Sequence, residues 1–314
     1  MNKWKDIPGY ETFKKIKPLN KGWSGDKKFI IETADGRHLL LRVFDRKEHD
    51  QKKAEFEKMG RVAACGIPTC APVEFGVCGK GKKAYTLATW LEGEDIGSVL
   101  PQVSEKEQYL LGKKAGALLR RIHKVPAQRD TEDWSVWFGH RMQEKLDLYL
   151  SHAHELAHAA PCADYLLQNR TLLEGRPQVF YHGDLNPTNV ILMPNGEAAA
   201  IDYNAAYDRH CIDPVMEFCT VPWGQNPNPH YYTGVLDGYY EGLSERDFLT
   251  ELAALAYYFA YEAVWGIVDS KAPGCNMVKE CRMHLENVLR WFDDMRIPVP
   301  TWYLNINHFV EEKL

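Results

Sequence analysis

The chain has 314 residues, of which 45% are hydrophobic and 26% charged, and its formal net charge is −5. This length exceeds that of one small domain and predicts two domains or lobes, each with its own hydrophobic core. Because the chain is mildly acidic and has no run rich in lysine or arginine, nucleic-acid binding is not expected.

The N-terminal part, residues 1–93, is predicted to form strands around one helix. The segments KKFIIET and HLLLRVF have the composition of strands, and the turn ADG separates them. The segment QKKAEFEKMGRVAAC is predicted to be a helix that stops at Gly66 and Pro68. A further strand, KKAYTLATWL, leads into a hinge near residues 88–95.

The rest of the chain, residues 94–314, is predicted to be a mostly helical lobe. Ser104 and Glu107 have the spacing of a capping box, and an apolar helix face follows them. More helix is predicted across 134–168 and over most of the chain from 213. Between these helices, two short strands are predicted around the turn PNGE.

Two features bear on where the protein resides. The first residues, MNKWKDIPGYETFKKIK, lack the apolar core of a signal peptide, and the apolar segment 252–268 is short enough to be a buried helix. The eight cysteines form no Cys-x-x-Cys pair and are expected to be free thiols. We therefore expect a cytoplasmic protein with no membrane contact, and no obligate protein partner is indicated.

The segment FYHGDLNPTNVILMPNGEAAAIDYN, residues 180–204, carries the strongest chemical signal. A hairpin across VILMPNGEAAAID would bring Asn189 close to Asp202. Two oxygen ligands side by side suit Mg²⁺, which often completes its shell with water and phosphate. Asp184 precedes them in a loop, within reach of a hydroxyl beside such a metal. A base together with two metal ligands is typical of phosphoryl transfer.

The spacing from Asp184 to Asn189 equals that of the protein-kinase motif His-Arg-Asp-x-x-x-x-Asn, with Gly183 in place of the arginine. The sequence IDYN stands in place of Asp-Phe-Gly. In these residues the chain resembles the aminoglycoside phosphotransferase and choline kinase family, small-molecule relatives of protein kinases. The resemblance implies a two-lobe, kinase-like α+β fold. It also implies transfer of the γ-phosphate of ATP or GTP, with Mg²⁺, to a hydroxyl of a small molecule.

The resemblance implies a role for each polar residue of this segment. Asp184 would orient the acceptor hydroxyl and accept its proton, while Asn189 and Asp202 would hold the metal. His182 is included as a catalytic-loop residue that supports the loop by hydrogen bonding rather than by acid–base chemistry. The alternative is a loop whose polar residues only form caps and turns.

The resemblance also implies a nucleotide site in the N-terminal lobe. The loop NKGWSGDKKF would cover the phosphates. Gly22 and Gly25 would let the backbone approach phosphate, and the Ser24 hydroxyl and nearby N–H groups could donate to it. Arg42 stands where the family has a lysine, and its permanent charge and planar fork still suit phosphate. Glu55, with Glu57 as the alternative, would pair with Arg42.

The resemblance implies two further binding regions. In the strand segment TLATWLEGE, backbone groups of Thr89 and Leu91 would pair with the nucleotide base. The family phosphorylates aminoglycosides, choline, ethanolamine, sugars and amino alcohols, and whether this chain serves antibiotic resistance or metabolism stays open. Acidic residues of the helical lobe favour a cationic acceptor by charge complementarity: Asp208, Asp213, Glu217, Glu262 and Asp269.

Two alternatives of other classes are weighed against the kinase hypothesis. His154, Glu155 and His158 form His-Glu-x-x-His, a zinc-protease motif if it is helical. The 12 histidines of the chain raise the chance of an accidental match, and no Gly-x-x-His follows to supply a third ligand. The other alternative is a catalytically inactive, kinase-like binding protein, for which Arg42 is the only support.

Overall fold

The computed structural model describes residues 4–20, 25–205, 207, 209–221 and 225–304. The described strands are β1 (Phe13–Leu19), β2 (Lys27–Thr33), β3 (His38–Asp45), β4 (Pro72–Cys78), β5 (Lys83–Thr89), β6 (Glu94–Asp95), β7 (Val190–Leu192) and β8 (Ala198–Ala200). The described α-helices are α1 (His49–Ala64), α2 (Ile96–Val99), α3 (Glu105–Ile122), α4 (Trp134–Ser151), α5 (Ala160–Gln168), α6 (Pro229–Tyr239), α7 (Glu245–Asp269) and α8 (Val278–Trp291).

Five strands form an antiparallel sheet in the order β1-β2-β3-β5-β4. Alternate residues of β2, β3 and β5 point into one buried core because side chains alternate along a strand. That core contains Ile31, Leu39, Leu41, Val43, Tyr85 and Leu87. The sequence did not predict β1, since its exposed lysines and Pro18 weaken the strand pattern.

The β2–β3 hairpin agrees with the predicted strands and sets the register that matters for the site. Gly36 has φ 83° in the turn, a conformation that glycine adopts without steric cost. The register places Lys28 of β2 directly opposite Arg42 of β3. These two cationic side chains are therefore neighbours on the same face of the sheet.

Helix α3 begins as the sequence predicts and packs against α6 through glycines. Ser104 and Glu107 form the capping box at its N-terminus. On the packed face stand Gly112 and Gly116, where an added Cβ would collide with backbone carbonyls of α6. The small residues let the two backbones approach more closely than side chains would allow. Gly234 and Gly238 of α6 meet α3 in the same way.

The helix predicted across 134–168 is wrong in its middle. Helix α4 ends at Ser151 and α5 begins at Ala160, with turns and a 3₁₀ segment, Ala157–Ala159, between them. The predicted apolar helix at 252–268 is correct and lies within α7, most of which is buried. Within the described part of the chain, no helix is both long and apolar enough to cross a membrane. All eight cysteines are free thiols, as expected.

The second sheet is small and positions the candidate site. Strands β7 and β8 form the hairpin predicted around the turn PNGE, and β6 pairs with β7 on its other side. Gly93 has φ 138° where the chain enters β6, and an added Cβ there would collide with the Leu192 carbonyl. This glycine allows β6 to lie against the hairpin.

The chain divides into two compact units. The first consists of Met1–Ser98 and His182–Asp208, and the second of Val99–Tyr181 and Arg209–Leu314. The first unit therefore contains both sheets and residues 182–204 of the segment with the strongest chemical signal. The predicted division into lobes of residues 1–93 and 94–314 stays a prediction.

Candidate active site

His182 holds the loop that follows it. Its side chain is fully buried, and its Nε2 lies 2.9 Å from the Ile201 carbonyl oxygen. Its Nδ1 accepts a hydrogen bond from the Asp184 N–H at 3.2 Å. Since Nδ1 accepts, Nε2 carries the proton and donates to Ile201. The ring also packs against Tyr203 with a centroid separation of 4.4 Å. Both nitrogens are thus engaged with the backbone, which suits support of the loop.

Gly183 explains why this loop lacks the arginine of the protein-kinase motif. Its φ is 93°, and an added Cβ would lie 2.7 Å from the Asn204 carbonyl oxygen. The Asn204 N–H donates to the His182 carbonyl at 2.9 Å. Backbone therefore runs directly against backbone at this point, and only glycine fits between the segments that carry Asp184 and Asp202.

The Asp184 carboxylate is oriented by two asparagines. Asn186 Nδ2 donates to Oδ1 at 2.9 Å, and Asn189 Nδ2 donates to Oδ2 at 3.1 Å and to the Asp184 carbonyl at 2.9 Å. Asn186 is itself fixed, because its Oδ1 accepts from the N–H and hydroxyl of Thr188. The loop thus holds a carboxylate in a set direction before any ligand is present.

The β7–β8 hairpin brings Asn189 and the segment before Asp202 together, as the sequence predicts. The Ile201 N–H donates to the Asn189 carbonyl at 3.0 Å, and Val190 pairs with Ala200. Asp202 follows immediately with φ 63°, a left-handed conformation that is uncommon for residues other than glycine. This conformation turns the chain away from the direction of β8, so that Asp202 lies just beyond the end of the hairpin.

Arg42 is bound between two aspartates, and we call Arg42, Asp26 and Asp202 the Arg42 cluster. Its Nε and Nη2 donate to Asp26 Oδ2 at 3.0 and 2.7 Å. Its Nη1 donates to Asp202 Oδ1 at 2.5 Å. The Asp26 side chain is 2% exposed, whereas that of Asp202 is 38% exposed. The cluster joins strand β3 to the hairpin segment, so the predicted phosphate residue and the predicted metal residue lie together.

The charges of this cluster shift its pKa values in opposite directions. Burial raises the pKa of Asp202, but the charge and hydrogen bond of Arg42 lower it more strongly, so the net change is downward. Burial lowers the pKa of Arg42, but the charges of Asp202 and Asp26 outweigh it and raise the net value. Burial and then the Arg42 charge lower the pKa of Lys28. Asp202 is therefore ionised at neutral pH.

The predicted pairing of Arg42 with a glutamate of helix α1 needs correction. Glu55 accepts from Lys52 Nζ at 3.0 Å and from Gln51, and Glu57 lies 3.8 Å from Lys53. Across the described residues, Arg42 pairs with aspartates instead. The reason is geometric, since Asp26 directly precedes β2 and already binds two of the three guanidinium nitrogens of Arg42.

The other residues predicted to bind the nucleotide differ in how far the structure describes and supports them. Ser24 lies outside the described residues, and Gly25 is exposed at the end of the loop before β2. The Thr89 N–H donates to the Ala71 carbonyl at 2.8 Å, so this N–H is not available to a nucleotide base. Leu91 lies in the connector after β5 and is partly buried.

The His-Glu-x-x-His segment does not form a metal site. It falls in the break between α4 and α5, so His154 and His158 do not share a helical face. The His154 side chain is 82% exposed, and Glu155 is engaged by Lys271 at 2.7 Å. Over the parts of the chain that are described, no group of three or more His, Cys, Asp or Glu could hold a metal ion. The zinc alternative therefore has no structural support.

Sequence reasoning did not find Asp26, Lys28 and Lys52. Lys52 lies 3.9 Å from Asp26 and continues the charged chain to Glu55. Lys28 could have been found by counting back along the hairpin from its turn, which pairs it with Arg42. Asp26 gives no such signal, because an aspartate after a glycine-rich loop reads as an ordinary turn residue.

The family of the chain is shown by its sequence. The model of the phosphotransferase enzyme family matches residues 15–250, three quarters of the chain. The chain belongs to this family. The resemblance to aminoglycoside phosphotransferases and choline kinases is thereby confirmed. No curated protein sequence matches this phosphotransferase-family protein.

Solved structures of small-molecule kinases share the fold of this phosphotransferase-family protein. Aminoglycoside phosphotransferase APH(2'')-Ib with bound ADP is 16% identical, with a TM-score of 0.56 over 90% of this chain and 97% of that one. Choline kinase LicA from Streptococcus pneumoniae is 13% identical, with a TM-score of 0.53 over 88% of this chain and 92% of that one. Ethanolamine kinase from Plasmodium vivax is 13% identical, with a TM-score of 0.52 over 88% of this chain and 82% of that one. The expected kinase-like α+β fold is confirmed.

The donor set of this phosphotransferase-family protein fits a hard cation. Among the described residues, no hydrogen bond uses Asn189 Oδ1 or Asp202 Oδ2. Both atoms are oxygens, and Mg²⁺ in phosphate-binding sites is held by one or two protein groups together with water and phosphate. The same unit supplies an oriented carboxylate at Asp184 and cationic side chains at Arg42 and Lys28.

Proposed function

We propose that this protein transfers the γ-phosphate of ATP or GTP to a hydroxyl of a small molecule, with Mg²⁺. The observation that carries the proposal is the joint presence of Asp184, Asn189 and Asp202 in one unit. Asn189 donates a hydrogen bond to the Asp184 carboxylate. The hairpin also joins Asn189 to Ile201, the residue before Asp202. Family membership supports the same reaction class.

The reaction assigns one task to each of these residues. Asp184 would align the acceptor hydroxyl and accept its proton as the hydroxyl oxygen forms a bond to the γ-phosphorus. The bond from that phosphorus to the bridging oxygen breaks, and the nucleoside diphosphate leaves with both electrons. Because this transition state is loose, orientation of the acceptor matters as much as the basicity of Asp184.

Asn189 and Asp202 would hold the metal, and Arg42 would contact the phosphates. When bound, Mg²⁺ neutralises charge on the phosphate oxygens of the nucleotide. The ionised state of Asp202 at neutral pH supports this assignment. The loop that ends at Gly25 would cover the phosphates, and the connector with Leu91 would lie against the base.

The acceptor proposed is an alcohol that also bears an amine. Its support comes from the substrates named for proteins of the same fold, which include aminoglycosides, choline and ethanolamine. The acidic residues of the helical part give less support than the sequence suggested. Asp213 is bound to Arg176 at 2.6 Å, and Asp269 to Lys145 at 2.7 Å. Those two carboxylates are neutralised internally.

The other acidic residues have partners or lie outside the description. Glu217 and Glu262 are buried and lie 3.6 and 3.7 Å from His123 and His284. Asp208 lies outside the described residues. A screen should therefore contain neutral sugars beside amino sugars and amino alcohols, and turnover of only neutral acceptors would refute the amine.

Asp184→Asn tests the proposal, because it keeps the shape and removes the charge and the base. With an acceptor found by the screen, kcat should fall by roughly 10²–10⁴. The affinity for Mg²⁺–nucleotide should stay within about threefold, since a group acting on the acceptor does not stabilise bound nucleotide. Turnover is measured as nucleoside diphosphate release, and affinity by the nucleotide-dependent rise in melting temperature.

The matched control is Asp35→Asn, which changes an exposed aspartate paired with Arg37 on the β2–β3 hairpin. It should leave both quantities at the wild-type value. Near-normal turnover in Asp184→Asn would show that this loop is not catalytic. Nucleotide binding by the wild type without turnover of any acceptor would instead favour an inactive binding protein.

A further inference from the structure

Asp26 is a buried carboxylate at the exit of the loop predicted to cover the nucleotide phosphates. It lies between exposed Gly25 and the first residue of β2, yet its side chain is only 2% exposed. Burial of an unpaired carboxylate is strongly unfavourable, so such a group is retained only with partners that match its charge. Its partners therefore indicate what it is for.

The principal partner of Asp26 is Arg42. Two guanidinium nitrogens, Nε and Nη2, donate to the same Asp26 oxygen at 3.0 and 2.7 Å. Fixing these two nitrogens sets the plane of the guanidinium group and leaves Nη1 as the nitrogen that points away. That nitrogen is the one bonded to Asp202. Asp26 thus determines which edge of Arg42 faces the predicted metal residue.

Glu55 of helix α1 is connected to Asp26 only through Lys52. Lys52 Nζ lies 3.0 Å from Glu55 and 3.9 Å from Asp26, so charges alternate from Arg42 through Asp26 and Lys52 to Glu55. A lysine at position 42 would be a single point charge and could be held by one glutamate. An arginine has a wider fork and needs a partner beside it, which Asp26 supplies from the position just before β2.

We propose that Asp26 is the positioning residue for Arg42 in nucleotide binding, taking the role that the sequence assigns to Glu55. The inference rests on the proposed function. Loss of Asp26 should release Nε and Nη2 of Arg42, so that the plane of the guanidinium group is no longer fixed for binding phosphate.

The test is a double-mutant cycle on nucleotide binding with Asp26→Asn and Arg42→Ala. The affinity for the nucleoside triphosphate is measured both with Mg²⁺ and with a chelator, so the measured affinity can be compared without metal and without turnover. Asp26→Asn should weaken binding by about 10-fold, the scale of one hydrogen bond to a charged group. With Arg42 already replaced, the same change should weaken binding less than about twofold, since a residue acting through Arg42 has nothing left to position.

Two further variants keep the test decisive. Asp26→Glu retains the charge and should recover at least half of the lost binding free energy. It also serves if Asp26→Asn fails to fold. Asp35→Asn is the matched control, since it removes an aspartate that contacts an arginine on the same hairpin, and it should bind nucleotide normally.

The outcomes separate this inference from the proposed function. A wild-type protein that binds no nucleotide overturns both. Normal wild-type binding together with equal effects of Asp26→Asn in the presence and absence of Arg42 overturns the inference alone. A larger loss in Glu55→Gln than in Asp26→Asn does the same, because the helix glutamate would then be the positioning residue.

Discussion

Arg42 and Arg176 are both largely buried and each lies between two carboxylates, but only the Arg42 cluster leaves a carboxylate oxygen without a hydrogen bond from the described residues. Arg176 donates to Asp213 at 2.6 and 3.0 Å and to Glu251 at 2.8 and 2.7 Å. The hydroxyls of Tyr258 and Tyr240 donate to the same two carboxylates at 2.6 and 3.0 Å. In this Arg176 cluster (Arg176, Asp213 and Glu251) every carboxylate oxygen has a donor.

In the Arg42 cluster, by comparison, one oxygen of Asp202 has no hydrogen-bond donor among the described residues. Asp213 is fully buried, whereas the Asp202 side chain is 38% exposed and only its Oδ1 is bonded by Arg42. No hydrogen bond from the described residues reaches Asp202 Oδ2. The same chemical groups thus form a closed cluster in one unit and an open one in the other. The difference teaches that unused acceptors, rather than charge itself, distinguish a candidate ligand site from a structural ion pair.

The pKa values of the two arginines are shifted in the same direction, upward. Burial lowers the pKa of Arg176, but hydrogen bonds and charges from Asp213 and Glu251 raise it, and the net change is upward. Arg42 is shifted upward too. Both guanidinium groups are therefore permanently charged, and each cluster depends on its carboxylates staying ionised.

The largest effect is expected from Asp213→Asn in the closed cluster. The amide keeps the shape but brings an N–H₂ group against the donors of Arg176 and leaves a buried cation with one carboxylate. The free energy of unfolding should fall by about 3–5 kcal/mol, the usual result of breaking a buried pair. Urea unfolding followed by circular dichroism measures it, with Asp35→Asn as the exposed control. A loss below about 1 kcal/mol would show that this cluster is not structural.

A smaller and more selective effect is expected when each arginine is replaced by lysine. Lysine keeps the charge and loses the planar fork. Arg176→Lys should lower the free energy of unfolding by about 2 kcal/mol, because several charge-assisted hydrogen bonds are lost. Arg42→Lys restores the residue that the family has at this position. It should lower the free energy of unfolding by less than Arg176→Lys does, because its partner Asp202 is partly exposed, and it should leave nucleotide affinity within about 10-fold.

The two lysine variants are compared in the same urea titration and nucleotide-binding assay. Equal losses of unfolding free energy in the two variants would mean that the Arg42 cluster is as structural as the Arg176 cluster. A loss of nucleotide affinity in Arg176→Lys, at a temperature where that variant is folded, would also contradict the comparison.

The smallest effect is the pH dependence that Asp202 contributes to stability. Its pKa is lower in the folded chain than its ordinary value of 3.8. The folded state therefore releases this proton more readily, and the stabilisation is present above the ordinary pKa and is lost as pH falls through the lowered value. Since the group is partly exposed, the contribution should be below about 1 kcal/mol.

Asp202→Asn measures this contribution by difference. The gap in unfolding free energy between wild type and variant should be constant above pH 5 and should shrink below pH 4. The same variant should lose most of the Mg²⁺-dependent part of the nucleotide-induced rise in melting temperature. A gap that grows on acidification would show that the pKa of Asp202 is raised rather than lowered.

What the sequence predicted well depends on local chemistry. The capping box at Ser104 and the hairpin that links Asn189 to the segment before Asp202 follow from spacing and turn residues, which neighbouring parts of the chain determine. The supporting role of His182 follows from its place beside a loop, and its two backbone hydrogen bonds are consistent with that role.

What the sequence did not predict depends on contacts between distant segments. Asp26 pairs with Arg42 because the register of β2 and β3 brings them together, and Glu55 is displaced for the same reason. The His-Glu-x-x-His segment at His154 does not form a helix, because α4 already ends at Ser151. The polar and alanine-rich sequence does not indicate this end. Such outcomes are decided by tertiary contacts rather than by local propensity.

The glycine contact between α3 and α6 has a consequence for how the protein is made. Gly112 and Gly116 are synthesised long before Gly234 and Gly238, with the segment of residues 180–204 between them. At ordinary rates of translation, α3 leaves the ribosome on the order of ten seconds before its partner helix. During that interval, the glycine contact between α3 and α6 cannot form. The nascent chain therefore carries α3 without its partner helix at a time when all five strands of the first sheet, β1 to β5, have already been synthesised.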